Sequence, residues 1–411
     1  MNRPSMKCFF FWVCLMPTCL FAQITGSQAK GKAVQLSEIG SLANKHSTAD
    51  LQRITQIDFL LSRLDSLQVR RDPVFLPGAY PSYIFHREKF RKKKKDITIF
   101  YNILIDATLS QIRAAIPASF QPRIDQLLRR SQKLYPRFKN EARGSYNFWL
   151  RDSAYRFPYS WWIPLIKKDG AVPDDMDDTV LSQFVLPQDS LEKLHQQMQR
   201  YAHEPGQRLK TTDPAYRKFG AYSTWFGEKF PVVFDVSVLS NILSFVQHYQ
   251  LQWTKVDSAS LRLIVATIKN DDYIHRPLLV SPYYGKTAIL LYHFSRLMKQ
   301  GPLPALDSLR PRLIEQGRYL LTHSKIFMER VITANALIQL GEPAPKLILP
   351  TARQWKSQVE KSDYAFFIGN IPSYLPNGIK KILTRINALM YYHFCPAYND
   401  LLVLQYLASN V

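Results

Sequence analysis

Apolar residues recur at helical spacing through most of the chain, and this pattern limits the fold more than any other feature. The spacing begins at Leu51 and Ile54 and continues to the C-terminal stretches KKILTRINALMYYHF and NDLLVLQYLASN. Residues 288–291 are apolar on nearly every side, whereas residues 309–321 carry charge on one side. A helix that is apolar all round must be enclosed, so the sequence predicts inner helices surrounded by amphipathic outer ones.

Roughly a dozen helices of these two kinds predict an all-α fold, an α/α toroid in which paired helices form a double ring. The connecting loops are rich in aromatic residues and proline, as in RFPYSWWIP, SPYYGK and FFIGNIPSYLPNG. Such loops cover a barrel mouth or line a pocket, which favours the closed toroid over an open helical solenoid. The toroid is expected over residues 48–411, with an N-terminal helical extension to about residue 120. Residues 97–105 are a weak strand candidate.

The N terminus has the pattern of an export signal. Basic Arg3 and Lys7 precede an apolar run that ends before Ala22. This pattern predicts a signal peptide over residues 1–22, followed by a flexible lead over residues 23–47. A proline interrupts the run and it is short for a membrane span, although an uncleaved anchor is the alternative. We therefore expect an exported protein, periplasmic or in the cell envelope of a bacterium.

The chain is strongly basic, with a net charge of +22 at pH 7. Such a charge favours anionic partners, and the expected export argues against nucleic acid as a partner. The densest basic patch runs from Arg91 to Lys95 within HREKFRKKKKD. It is either a solvated loop or a patch that attracts the protein to an anionic membrane surface.

Motifs for common cofactors and metals are missing. The sequence contains no HExxH, no P-loop and no GxGxxG motif, so no cofactor and no metal site is expected. Removal of the predicted signal peptide would leave Cys395 as the only thiol, which excludes an internal disulfide in the mature chain. Such a chain depends on its hydrophobic core for stability.

Four aspartates crowd into the stretch PDDMDDTV, residues 173–180. Carboxyl groups in a small space raise one another's pKa, so that one of them keeps a proton that it can donate. Carboxylates are also favoured at a helix N terminus, so Asp177 or Asp178 as a helix cap is the alternative interpretation.

The stretch VPDDMDDTVLSQF resembles the DxDDT motif of class II terpene cyclases, in the terpenoid cyclase/prenyltransferase superfamily of α/α toroids. The match falls on Asp175, Asp177, Asp178 and Thr179. The resemblance implies that Asp177 protonates an alkene or epoxide, while Asp175 and Asp178 keep it protonated and oriented. Class II cyclases usually build the cavity between two toroids, and this chain has room for one.

The same letters fit the DDxxD motif of class I enzymes, which bind magnesium and diphosphate, through Asp174, Asp175 and Asp178. Magnesium chemistry of this kind needs a second ligand group. The nearest candidate stretch, NDDYIH, lacks the hydroxyl and glutamate residues expected of it. The sequence therefore favours the class II resemblance.

Aromatic and amide side chains in the loops are the candidate substrate-binding residues, because aromatic faces stabilise cations and line apolar pockets. They are Asn147, Trp149, Trp161, Trp162, Tyr222, Trp225, Tyr283 and Tyr284. Asp235 opens another apolar helix after TWFGEKFPVVF. Together with Asp177 it would supply the paired carboxylates of a glycan-cleaving enzyme, and a second helix cap is the alternative.

Three functional hypotheses follow. The first is a terpene-cyclase-like enzyme that uses Asp177 as a general acid on an apolar small molecule, tuned by Asp175 and Asp178. The second is a carbohydrate-active hydrolase or lyase that binds a glycan between Asp177 and Asp235. The third is a non-catalytic envelope scaffold or lipid-binding module.

Overall fold

A computed structural model gives the fold of most of the chain. It describes residues 48–86, 93–150, 172–227, 230–360 and 364–409. The predicted signal peptide and flexible lead lie outside these ranges. The chain divides into two compact units, Met1–Gln56 and Ile57–Val411.

The described residues form twelve helices of eight residues or more, at the following positions. They are α1 Thr48–Leu67, α2 Phe100–Ile112, α3 Gln121–Gln132, α4 Met176–Gln183, α5 Leu191–Gln199, α6 Val236–His248, α7 Lys255–Lys269, α8 Thr287–Lys299, α9 Arg310–His323, α10 Phe327–Gln339, α11 Asn377–Arg385 and α12 Pro396–Ser409. Shorter helical turns lie at Asp272–His275, Pro277–Val280, Pro304–Asp307 and Ala352–Trp355. None of the helices in the described ranges is both long enough and apolar enough to cross a bilayer.

Six of these helices contact one another in cyclic order: α2, α4, α6, α8, α10, α12 and again α2. Their residues are buried on nearly every side, as in α6, where every residue from Val236 to Val246 is buried. Helices α3, α7 and α9 pack against ring helices and bury a limited set of residues. The alternation of apolar and amphipathic segments therefore corresponds to ring helices and the helices that cover them.

Two antiparallel four-stranded sheets accompany the helices. One has the order β2-β1-β8-β7 and the other the order β3-β4-β5-β6. The strands are β1 Ser82–His86, β2 Lys94–Asp96, β3 Lys139–Asn140, β4 Ser145–Tyr146, β5 Asp174–Asp175, β6 Trp225–Phe226, β7 Phe367–Asn370 and β8 Met390–Phe394.

The prediction of an all-α fold, an α/α toroid, is therefore wrong, since the fold mixes helices with these two sheets. The strands hold two to five residues, and all five residues of β8 are buried, so no alternation of period two marks them in the sequence. The weak strand candidate at 97–105 is also wrong, because α2 begins at Phe100. The stretch KKILTRINALMYYHF holds a helix that ends at Arg385 and then strand β8.

Three of the strands lead into ring helices. Strand β2 precedes α2, strand β8 precedes α12, and β5 runs directly into α4. In the second sheet Asp175 pairs with Tyr146 on one side and with Trp225 on the other. The start of α4, which carries the aspartate cluster, is therefore fixed on both sides by backbone pairing.

The six ring helices account for much of the core, and substitution of Leu402 in α12 tests their contribution to stability. Leu402 is fully buried, and its carbonyl accepts a hydrogen bond from Asn335 Nδ2 of α10 at 2.9 Å. We expect Leu402→Ala to lower the free energy of unfolding by about 3 kcal/mol, because a cavity replaces packed atoms. Urea denaturation followed by circular dichroism measures this loss. Ile348→Ala is the control, since Ile348 is 90% exposed and should change stability by no more than about 0.5 kcal/mol.

Candidate functional site

Asp175 caps the helix that carries the acidic cluster. Its Oδ1 accepts hydrogen bonds from the backbone N–H groups of Asp177, at 2.6 Å, and of Asp178, at 3.1 Å. The alternative in which Asp177 or Asp178 caps the helix is wrong, because the helix begins at Met176 and its N-cap is Asp175.

Asp174 anchors the second sheet. Its Oδ2 accepts hydrogen bonds from Ser145 Oγ at 2.6 Å and Asn140 Nδ2 at 2.7 Å, and it forms an ion pair with Arg143 at 3.1 Å. Asn147, a predicted substrate-binding residue, lies 3.5 Å from Asp174 Oδ1 and donates to a backbone carbonyl at 2.9 Å. Both side chains therefore hold the segment that leads into α4.

Asp177 is the acid of the cluster that accepts hydrogen bonds from α6 and from the segment before α8. Asn241 of α6 donates from Nδ2 to Asp177 Oδ1 at 2.7 Å, and the Tyr284 hydroxyl donates to Oδ2. Burial raises the pKa of Asp177 to about 6, while the hydrogen bonds from Tyr284 and Asn241 and the charge of Arg296 limit the rise. Asp177 is thus buried, yet its carboxylate form is stabilised by two donors and a cation.

Burial also affects the two neighbouring acids. It raises the pKa of Asp175 and of Asp178 well above the ordinary value, and the charges of nearby aspartates add to the rise. Both carboxyl oxygens of Asp178 lie buried without a hydrogen-bond partner among the described residues. Asp177 differs from Asp178 in that two side-chain donors stabilise its carboxylate form.

An aromatic cluster includes Tyr284, the tyrosine that donates to Asp177. We define it as Phe100, Phe148, Tyr284, Phe366 and Phe367. The Tyr284 ring lies 5.6 Å from Phe367 and 5.9 Å from Phe366, and Phe100 lies 4.8 Å from Phe367. The ring of Phe148 stacks on Phe367 at 5.2 Å. One of the two hydrogen bonds to the Asp177 carboxyl group thus comes from a tyrosine that packs among apolar rings.

His293 of α8 lies against the same tyrosine. The two ring centroids are 4.6 Å apart, and His293 Nδ1 lies 3.0 Å from the Ile289 carbonyl oxygen. Burial lowers the pKa of His293 well below its ordinary value, so the ring is neutral. Its Nε2 has no hydrogen-bond partner in the described part of the chain. Asn241 and His293 were not predicted from the sequence, although each is a polar residue within an apolar helix.

Asp235 has a different environment from Asp177. It is the N-cap of α6 and accepts from the backbone N–H groups of Ser237, at 2.9 Å, and Val238, at 3.3 Å. Ser281 Oγ donates to it at 2.6 Å and the Tyr283 N–H at 2.9 Å. Burial raises its pKa to about 7. Four donors from the protein itself support the helix-cap interpretation of Asp235 over a catalytic pair with Asp177.

The remaining predicted binding residues make separate contacts. Trp225 Nε1 donates to the Tyr283 hydroxyl at 3.1 Å, and that hydroxyl lies 3.0 Å from Ser373 Oγ. Trp149 Nε1 donates to Asp96 Oδ1 at 3.1 Å. Of the predicted aromatic residues with described contacts, only Tyr284 forms a hydrogen bond with an acid of the cluster.

Tyr222 belongs to a network between α5 and α7. Its hydroxyl donates to Asp257 Oδ1 at 2.8 Å and lies 3.1 Å from His195 Nε2, which is 3.1 Å from Asp257 Oδ2. Trp161 and Trp162 lie outside the described residues. Tyr222 therefore contacts residues of α5 and α7.

The described part of the basic patch contacts the protein itself. Lys95 Nζ lies 3.3 Å from Asp72 Oδ1 and 5.2 Å from the Phe75 ring centroid. Lys93 Nζ lies 4.8 Å from the centroid of Phe394. Arg91 and Lys92 fall outside the described ranges.

The DDxxD interpretation requires three carboxylates that face one metal ion. Asp174, Asp175 and Asp178 instead have three different environments, as described above. Within the described ranges, no group of three or more histidine, cysteine, aspartate or glutamate side chains is arranged to hold a metal ion.

No family model, curated protein or solved structure gives a match to this chain. The resemblance to class II terpene cyclases therefore rests on the DxDDT-like motif itself. The contacts of Asp177 provide an independent physical argument about what this motif can do.

Substitution of Asp178 tests whether its pKa is raised in the folded protein. A folded-state pKa raised above the unfolded value of 3.8 means that the folded state loses stability as pH rises from about 4. Asn has the shape of the protonated acid and does not ionise, so Asp178→Asn should unfold about 3 °C above wild type at pH 8. The difference should shrink towards pH 4. Differential scanning calorimetry across this range measures it, with Asp189→Asn at an exposed position as the control.

Proposed function

We propose that this protein is an acid catalyst that protonates an apolar, alkene-bearing substrate, with Asp177 as the general acid. The observation that carries the proposal is the pair of donors, Tyr284 and Asn241, on a buried carboxyl group. A strong acid needs a stabilised conjugate base, and these donors supply it in a region from which water is excluded. The resemblance to class II terpene cyclases assigns the same role to Asp177.

The proposed reaction is a proton transfer followed by ring closure. The proton of Asp177 moves to one alkene carbon, the π-electron pair becomes the new C–H bond, and the other carbon becomes a cation. A second double bond of the same substrate attacks this cation, which closes a ring and leaves the positive charge on the other carbon of that second double bond. A carbon next to this new cation loses a proton to solvent water, and the C–H electron pair becomes the final double bond, so the product is an isomer of the substrate. Asp177 takes a proton from solvent before the next turnover.

The surroundings of Asp177 favour this chemistry in two ways. The aromatic cluster offers ring faces that stabilise a cation without reacting with it as water does. Burial raises the pKa of Asp175 and of Asp178 well above the ordinary value, which disfavours further negative charge beside Asp177. Tyr284 belongs to the aromatic cluster and also donates to Asp177, so it connects the ring faces that stabilise the cation with the acid that supplies the proton.

The proposal extends to location and partners. The N-terminal pattern over residues 1–22 and the net charge of +22 support an exported protein that works near an anionic surface. An apolar substrate dissolved in a membrane would be available there.

Replacement of the acid tests the proposal directly. Purified protein is incubated in D2O with linear polyprenes that end in a trisubstituted alkene, namely farnesol, geranylgeraniol and squalene. Wild type should give a cyclic product with one deuterium at the protonated carbon, detected by gas chromatography and mass spectrometry. Asp177→Asn should lower the rate at least ~1000-fold, because the proton donor is gone. Turnover by Asp177→Asn at the wild-type rate would refute the assignment.

Two adjacent tyrosines provide a matched comparison. Only the protonated form of Asp177 is active, so the rate should fall as pH rises through its pKa of about 6. Tyr284→Phe removes a donor that stabilises the carboxylate, which should move this fall to higher pH and slow the reaction by ~10-fold or more. Tyr283→Phe alters a hydroxyl that contacts Trp225 and Ser373, so its pH profile should match wild type. Equal profiles for both variants would contradict the role of Tyr284.

A further inference from the structure

Helix α11 packs with its polar side inward. Its buried residues are Asn377, Lys380 and Thr384, whereas Ile379 and Ile382 are exposed, the latter by 65%. Spacings of three and four residues place each set on one face of the helix. The hydrophobic effect favours the opposite orientation, because it would remove the isoleucines from water. The inward polar face is therefore maintained by something other than apolar packing.

The side chains on this face are not satisfied by the protein. Asn377 Oδ1 and Thr384 Oγ1 lie buried with no hydrogen-bond partner in the described ranges. Lys380 is 2% exposed as a residue, and it makes no hydrogen bond or ion pair with any described residue. Buried polar groups normally have partners, and a buried ammonium is the most costly group to leave without one.

Two carboxyl groups lie within electrostatic range of Lys380 but are used elsewhere. Asp213 forms ion pairs with Lys381 at 2.9 Å and Arg276 at 3.1 Å, and Asp235 caps α6. Burial lowers the pKa of Lys380 to about 8, against the opposing charges of Asp213 and Asp235. At neutral pH the face therefore presents a positive charge with no direct counterion.

We propose that the buried face of α11 binds an oxyanion, the carboxylate or phosphate group of a small ligand, through the Lys380 ammonium and the Thr384 hydroxyl. An ammonium and a hydroxyl both carry hydrogen-bond donors, and charge-assisted bonds to anionic oxygens are the strongest that they form. An oxyanion supplies the counterion that the protein does not. The site stands independently of catalysis by Asp177.

Calorimetric titration at pH 7 tests the site with two probes, sodium decanoate and inorganic phosphate, and with decanol as the uncharged control. The variants are Lys380→Met and Lys381→Met, which remove the same charge from adjacent positions. Wild type and Lys381→Met should bind one of the two anions with equal affinity, and Lys380→Met should bind it ~10-fold or more weakly. Affinity should fall as pH rises above about 8, the pKa of Lys380. Whichever probe binds, decanoate or phosphate, identifies the preferred anion as a carboxylate or a phosphate.

Three results would overturn the proposal: neither anion binds wild type, Lys380→Met binds as tightly as Lys381→Met, or decanol binds as tightly as decanoate. Thr384→Val is the second variant, to be used if Lys380→Met does not fold, and it should also weaken binding. Asp177→Asn should bind the anion normally. A loss of turnover with intact anion binding therefore separates the failure of one proposal from the failure of the other.

Discussion

Burial of four carboxyl groups at the start of α4 is the constraint on which the rest of this structure depends. A buried carboxylate is costly unless it is paired, hydrogen-bonded or protonated, and the protein uses each of these solutions. Asp174 is paired with Arg143, Asp175 caps the helix, Asp177 accepts from Tyr284 and Asn241, and burial raises the pKa of Asp178 well above its ordinary value. Four aspartates within five positions thereby have four different environments.

The two sheets make this arrangement stable. Strand β5 contains Asp174 and Asp175 and is paired on both sides, so the entry into α4 has little freedom to rotate. A rotation of α4 would move Asp177 away from Asn241 and bring another acid into its place. The sheet that contains β5 therefore decides which aspartate reaches the donors of α6 and of the segment before α8.

Asp235 connects the two proposed sites. Its negative charge raises the pKa of Asp175 in the acidic cluster and opposes the lowering of the Lys380 pKa on α11. The carboxyl group is held by the N terminus of α6 and by Ser281, so its position is fixed. Asp175 of the acidic cluster and Lys380 of α11 thus both lie within electrostatic range of one fixed carboxyl group.

The sequence by itself determined the helices and the position of the acidic cluster, because helical period and charge crowding are local properties. It did not reveal the strands, since segments of two to five residues are too short to show a period. Asp177 meets Asn241 and Tyr284 across 64 and 107 residues of chain, so only the tertiary structure could bring them together. The period of α11 likewise defines two faces but not which one is buried. That choice depends on the free energy of the whole packed domain, in which distant helices and their charges take part.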